Sequence, residues 1–181
     1  MKRRTVLHVI AAGVVAEPSA LPQHHQSTAT PVQTDGKLLF FTFAQDALLD
    51  RLTEMIIPAD DHSPGAHEAK VSRFIDNIVG HSSTEIRRGW TAGLELVDAE
   101  ARRRFGSSFL QCALPQQDQI LEAMAAAEPE PKMPLEHFFA RLKLMTLDGY
   151  YTSATGIHRE LQYKGNAVLA EFPGCRHPEH K

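Results

Sequence analysis

Cysteine is scarce in this chain. Cys112 and Cys175 are its only two in 181 residues, and they can bridge each other, bridge a partner or stay free. No apolar run reaches the roughly 18 to 20 residues that a membrane span needs. No segment alternates apolar and polar side chains at the period of a strand, and no internal repeat is visible. Positive charge is thin: beyond Lys2-Arg3-Arg4 at the start, the one dense basic run is Arg102 to Arg104, and the formal net charge is -3. Nucleic-acid binding needs clustered Lys and Arg to neutralise phosphates, so that class of partner is excluded.

Catalytic signatures are missing too. There is no G-x-G-x-x-G for a dinucleotide, no C-x-x-C-H for covalent haem, no H-E-x-x-H for zinc and no G-x-S-x-G nucleophile elbow. Together these absences weigh against a self-sufficient redox or hydrolytic enzyme. A hydrophobic fraction of 43% and a charged fraction of 23% are those of an ordinary globular domain, and the length suits one such domain.

The chain starts "MKRRTVLHVIAAGVVAE", with Arg3 and Arg4 adjacent and a mostly apolar stretch after them. Paired arginines before a short apolar segment have the order of a twin-arginine export signal, taken as residues 1–16. Losing Lys2, Arg3 and Arg4 would take the formal charge from -3 to -6. Residues 17–37 mix Pro, Ser, Thr, Gln and Gly with few large apolar side chains, the composition of a flexible linker; His24 and His25 in it are read as solvated.

Residues 38–181 form the expected domain, all-α, with about five helices and a loop-rich C-terminal tail. Thr42 and Gln45 have the spacing of a capping box ahead of a helix from about Phe43 to Ile57, ended by Pro58. A second helix is expected to begin between Ala66 and Ala69 and to end near Gly80. A third, from Ser83 to Gly106, carries Ile86, Trp90, Leu94, Val97, Ala101 and Phe105 on one stripe. Pro115 opens a fourth. The fifth, from about Leu135 to Tyr151, has two apolar stripes, Leu135-Phe138-Phe139-Leu142-Met145-Gly149 and Leu144-Leu147-Tyr151, which predicts a helix surrounded by others. At Gly149 the missing side chain would let a neighbouring backbone come close.

Two stretches carry the residue types of chemistry. "IIPADDHSPGAHEA" gathers Asp60, Asp61, His62, His67 and Glu68 between the first two helices, where a turn built by Pro58, Gly65 and Ala66 favours a fixed loop over a metal or acid/base centre. "CRHPEH", with Cys175, His177 and His180, mixes thiolate and imidazole as zinc or copper sites do, yet shows no fourth ligand and is read as a structural or interface tail.

Three segments, "LTEMIIPADDHSPGAHEAKVSRFID" (Leu52 to Asp76), "FFARLKLMTLDGYYTS" (Phe138 to Ser153) and "GIHRELQYKGN" (Gly156 to Asn166), resemble the small subunit, subunit 3 or gamma, of membrane-associated gluconate 2-dehydrogenases and related flavoprotein dehydrogenases. The ending "AVLAEFPGCRHPEHK" departs from the gluconate type. The resemblance implies an accessory, non-catalytic subunit with no cofactor of its own. Its implied partners are a large FAD-containing subunit of the glucose-methanol-choline type and a cytochrome c subunit carrying haem c. It also implies a periplasmic location on the membrane through the complex, with the export signal serving that complex. Pro58, Asp60, Asp61, Gly65, Ala66, Gly149, Tyr150 and Cys175 are the candidate interface or structural positions. A stand-alone periplasmic metal or ligand binder is the competing expectation.

Overall fold

A computed structural model describes residues 37–128 and 130–166. Its elements in chain order are α1 (Phe43–Ile56), α2 (Val71–Gly80), α3 (Thr84–Phe105), a 3-10 turn (Phe109–Gln111), α4 (Leu114–Ala126), α5 (Pro134–Tyr151) and a π turn (Gly156–Glu160). Among the described residues there is no β-strand. The fold is all-α, as the periodicity predicts.

Local chemistry sets the helix ends. The Thr42 hydroxyl accepts from Gln45 N at 3.3 Å and the Gln45 side chain accepts from Thr42 N at 3.0 Å, so the capping box at α1 is complete. Ile57 precedes Pro58 and leaves the helical region, with φ -128° and ψ 84°, which stops α1 one residue before the expected end. Ser83 caps α3 through its hydroxyl, and Gly106 ends it at φ 75°, a left-handed conformation that favours glycine. Pro115 and Pro134 lie in the first turns of α4 and α5, where a missing N–H costs nothing. α2 starts later than expected. Lys70 adopts φ 57°, so residues 66–70 make a separate turn, closed by Lys70 N on His67 O and Val71 N on Ala66 O.

α5 is the central helix, touching α1, α2, α3 and α4. Its inner face buries Phe138, Phe139, Leu142, Thr146, Gly149 and Tyr150 against Leu49 and Leu52 of α1, Val71 and Ile75 of α2, Trp90 and Leu94 of α3, and Ile120 and Met124 of α4, which share one core with it. Two glycines make room for side chains of a facing helix, where the sequence suggested a neighbouring backbone at Gly149. A Cβ on Gly93 of α3 would run into the Phe138 ring, and one on Gly149 would stand 2.8 Å from Phe74 Cδ1 and 3.1 Å from Val71 Cγ1 of α2.

Two expectations need correcting. α5 is not enclosed: Leu144 and Tyr151, from its second stripe, are exposed and Leu147 is half-buried. The four other helices occupy the inner side only. Ile86 is likewise exposed rather than core, because α3 meets the core from Trp90 onward. Within the loop-rich segment after α5, residues 154–160 are helical and end in the π turn. Gly156 has its backbone pressed on Tyr150 O and Tyr151 Cα, where no Cβ fits, while the Ser153 hydroxyl donates to Tyr150 O and accepts from Gly156 N. A single turn of this kind has no 3.6-residue pattern to reveal it.

Candidate functional site

The loop from Ile57 to Lys70 concentrates most of the polar residues singled out in the sequence. Each anchored group has a structural partner. Asp60 Oδ1 accepts from both His62 N and Ser63 N at 2.8 Å, while Asp60 N donates to Ser63 O at 3.0 Å, so the Asp-Asp-His-Ser segment closes on its own carboxylate. These bonds from Ser63 and His62 hold the Asp60 carboxyl below the ordinary carboxylate range. Asp61 and Pro58 are exposed, and Asp61 makes no hydrogen bond to a described residue.

Glu54, on the last turns of α1, reaches under the loop. Its Oε1 accepts from Ala59 N at 3.1 Å and its Oε2 from His67 N at 2.8 Å, so one carboxylate staples both arms. Gly65 is buried against it: a Cβ there would collide with the Glu54 carboxylate and stand 2.6 Å from Ala59 N. Ala66 is fully buried, and its N–H donates to Ile57 O at 2.9 Å across the base of the loop.

Two bridges carry the loop to the rest of the domain. Tyr150, buried near the end of α5, donates its phenol proton to Pro64 O at 2.7 Å, and the buried Ser63 hydroxyl donates to the phenol oxygen at 2.5 Å. His67 Nδ1 lies 2.6 Å from Asp50 Oδ2 on α1, and this hydrogen bond, then the charge of Asp50, raises the imidazole above its ordinary range. A third, weaker link runs from His62 Nε2 to Glu160 O at 3.3 Å, on the π turn. The loop is thus attached to three elements at once, and its acids and imidazoles do not converge: among the described residues no three His, Cys, Asp or Glu side chains gather as metal ligands would.

The sequence does not single out Glu54 or Asp76, which anchor the loop and the start of the domain. Asp76 is 3% exposed, and its carboxylate accepts from Leu39 N at 2.6 Å, Phe40 N at 3.0 Å and Phe41 N at 2.9 Å. A carboxylate beside Ile75 and Val79 on the buried side of α2 was the available signal, because burying one demands donors. Cys112 is buried as a free thiol. Arg3, Arg4, Cys175, His177 and His180 lie outside the described residues.

Other features of the surface are structural. Arg103 and Arg104 both clamp Glu100, holding its carboxyl down to about 2, chiefly through the Arg103 hydrogen bonds. Beside them, α3, α4 and the start of α5 enclose an open groove of about 440 Å³ lined by Leu96, Ile120, Met124, Met133 and Leu135. No described helix is long and apolar enough to cross a membrane.

No curated protein and no solved structure gives a match to this chain. A family model does, over residues 44–174, and those limits take in the stapled loop, its Tyr150 anchor and the whole of α5. The match spans well over half of the sequence, and the chain belongs to the gluconate 2-dehydrogenase subunit 3 family, as an accessory subunit of a dehydrogenase complex.

Proposed function

We propose that this subunit serves a membrane-associated FAD-dependent dehydrogenase of the glucose-methanol-choline type, supporting assembly, stability and twin-arginine export of the flavoprotein subunit without taking part in the oxidation. The observation that carries the reading is the family match over residues 44–174. It is supported by the way Asp60, Glu54, His67 and Tyr150 are engaged in holding a loop. A general base must be free to reach a substrate proton, and these groups face backbone N–H, Asp50 and Pro64.

In this reading FAD belongs to the large subunit and haem c to a cytochrome subunit, and this chain carries neither. The described residues offer no glycine-rich turn between strand and helix that would cradle a dinucleotide. Export of a folded, FAD-loaded partner on one signal accounts for the paired Arg3 and Arg4, and puts the complex on the periplasmic side of the membrane.

The test is co-purification of the tagged full chain from its native host, followed by flavin spectroscopy and dye reduction with polyols and sugar acids. A stoichiometric flavoprotein whose activity requires this chain supports the proposal. Turnover by the isolated chain would end it. Metal found at one equivalent in the isolated chain, lost on replacing Cys175 and His177, would instead favour the stand-alone binder.

A further inference from the structure

We infer that the solvent face of α5, with the segment that follows the π turn, is the surface on which this subunit docks its flavoprotein; the inference rests on the function proposed above. Ala140, Leu144, Leu147 and Tyr151 recur at helical spacing on the side of α5 opposite the core. Leu144 is 59% and Tyr151 38% exposed, with Ala140 and Leu147 half-buried. Elsewhere Phe43 and Leu114, each the first residue of its helix, are exposed singly, and Met133 lines the groove between α3, α4 and the start of α5. Single exposed apolar residues need no explanation, whereas a row of them along three turns marks an interaction surface.

Further exposed apolar side chains follow the helix. Gly156 brings the π turn back onto the backbone of Tyr150 and Tyr151, and the chain leaves it with Leu161 at 58% and Tyr163 at 48% exposure. A helix apolar on both sides is normally enclosed. Here the domain covers one side, and membership in a family of complex subunits supplies the partner for the other.

Charge narrows the partner's chemistry. The chain is acidic as a whole, at -3, yet the exposed charges on α5 and the segment after it near this surface are Arg141, Arg159 and Lys164 against Asp148, with Glu160 half-buried and turned to His62. An apolar centre with a basic rim fits a facing patch of apolar side chains flanked by carboxylates, and Tyr and Arg are the residue types that dominate such contacts.

The experiment uses tagged full-length chain and the flavoprotein co-purified with it, with affinity measured at two salt concentrations. Leu144→Asp should weaken binding at least tenfold, as should the pair Arg159→Glu and Lys164→Glu, which lies outside α5 and keeps the test open if a helix variant folds poorly. Leu114→Asp, equally exposed but on α4, should bind like the parent. Added salt should weaken the parent and not the double charge variant. Parent-like binding by both α5-side variants overturns this assignment while leaving the proposed function standing. Failure of the parent chain to bind any flavoprotein overturns both, and a dimer of this chain abolished by Leu144→Asp would assign the face to self-association instead.

Discussion

The loop between α1 and α2 is rich in carboxylates and imidazoles, and the outer face of α5 is rich in leucine and tyrosine, yet their roles run opposite to their composition. Asp60 in the loop, and Glu54 and Tyr150 that reach it from α1 and α5, are engaged with the protein itself, so the polar groups stabilise. On α5, Leu144 and Tyr151 are left for something outside the domain, so the apolar groups recognise. Residue type alone assigns the two regions the wrong way round. What separates them is whether each group's natural partner, a donor for a carboxylate or an apolar neighbour for a leucine, lies within the same chain.

The largest effect should come from the inner face of α5, the control for its outer face. Phe139→Ala removes a ring that is 3% exposed and should cost about 3 to 5 kcal/mol by chemical denaturation. A change under about 1 kcal/mol would mean that the inner and outer faces do not differ as described. Next comes the loop. Tyr150→Phe deletes the hydroxyl that joins α5 to the loop and leaves Ser63 Oγ and Pro64 O only their 3.2 Å bond to each other, which should cost about 1 kcal/mol, and Gly65→Ala, driven into the Glu54 carboxylate, should cost about 1 to 3 kcal/mol through overpacking. If both are silent, the loop is not anchored and its acids are free for chemistry after all.

Leu144→Ser on the outer face should leave stability within about 0.5 kcal/mol, because that side chain stands in solvent. A loss comparable to that of Phe139→Ala would return the second stripe to the core.

The smallest effect concerns the pH dependence of the loop. His67 is raised by Asp50, so its contribution is fully present below the unfolded imidazole range near 6.5 and is lost as pH rises through the higher folded value. The melting-temperature gap between the parent and His67→Gln should therefore narrow from pH 6 to pH 9. It should stay small, since the imidazole is largely exposed and screened. Asp60 acts in the other direction: its lowered carboxyl contributes above the ordinary value near 3.8, and that contribution fades as pH falls through the folded value. A gap at His67 that widens with pH would show that the Asp50 pair does not hold the loop.

The legible part of the fold was what repeats along a helix. The Thr42 and Gln45 pair, Ser83, Gly106 and the prolines at 58 and 115 mark ends, and the 3.6-residue rows mark α3 and the inner face of α5. Long-range pairings were not legible. Asp76 reaching back to Leu39–Phe41 spans 35 to 37 residues, and Tyr150 to Ser63 spans 87, separations at which no local spacing rule operates. Periodicity also reports that a face is apolar and not what covers it. That is why Leu144, Leu147 and Tyr151 read as core within this chain while the domain leaves them uncovered.

Asp76 has a mechanical consequence. Three successive N–H groups, at Leu39, Phe40 and Phe41, hang on one carboxylate that is itself fixed in α2. Tension on the chain ahead of Leu39 therefore reaches α2 before it can peel back the first turn of α1, with the three bonds loaded side by side rather than opened one after another like a zipper. Asp76→Asn keeps the shape but loses the charge and half of the acceptor capacity. Under a pulling force applied from the N-terminal side, that variant should yield earlier, while its resistance to a pull applied elsewhere changes far less.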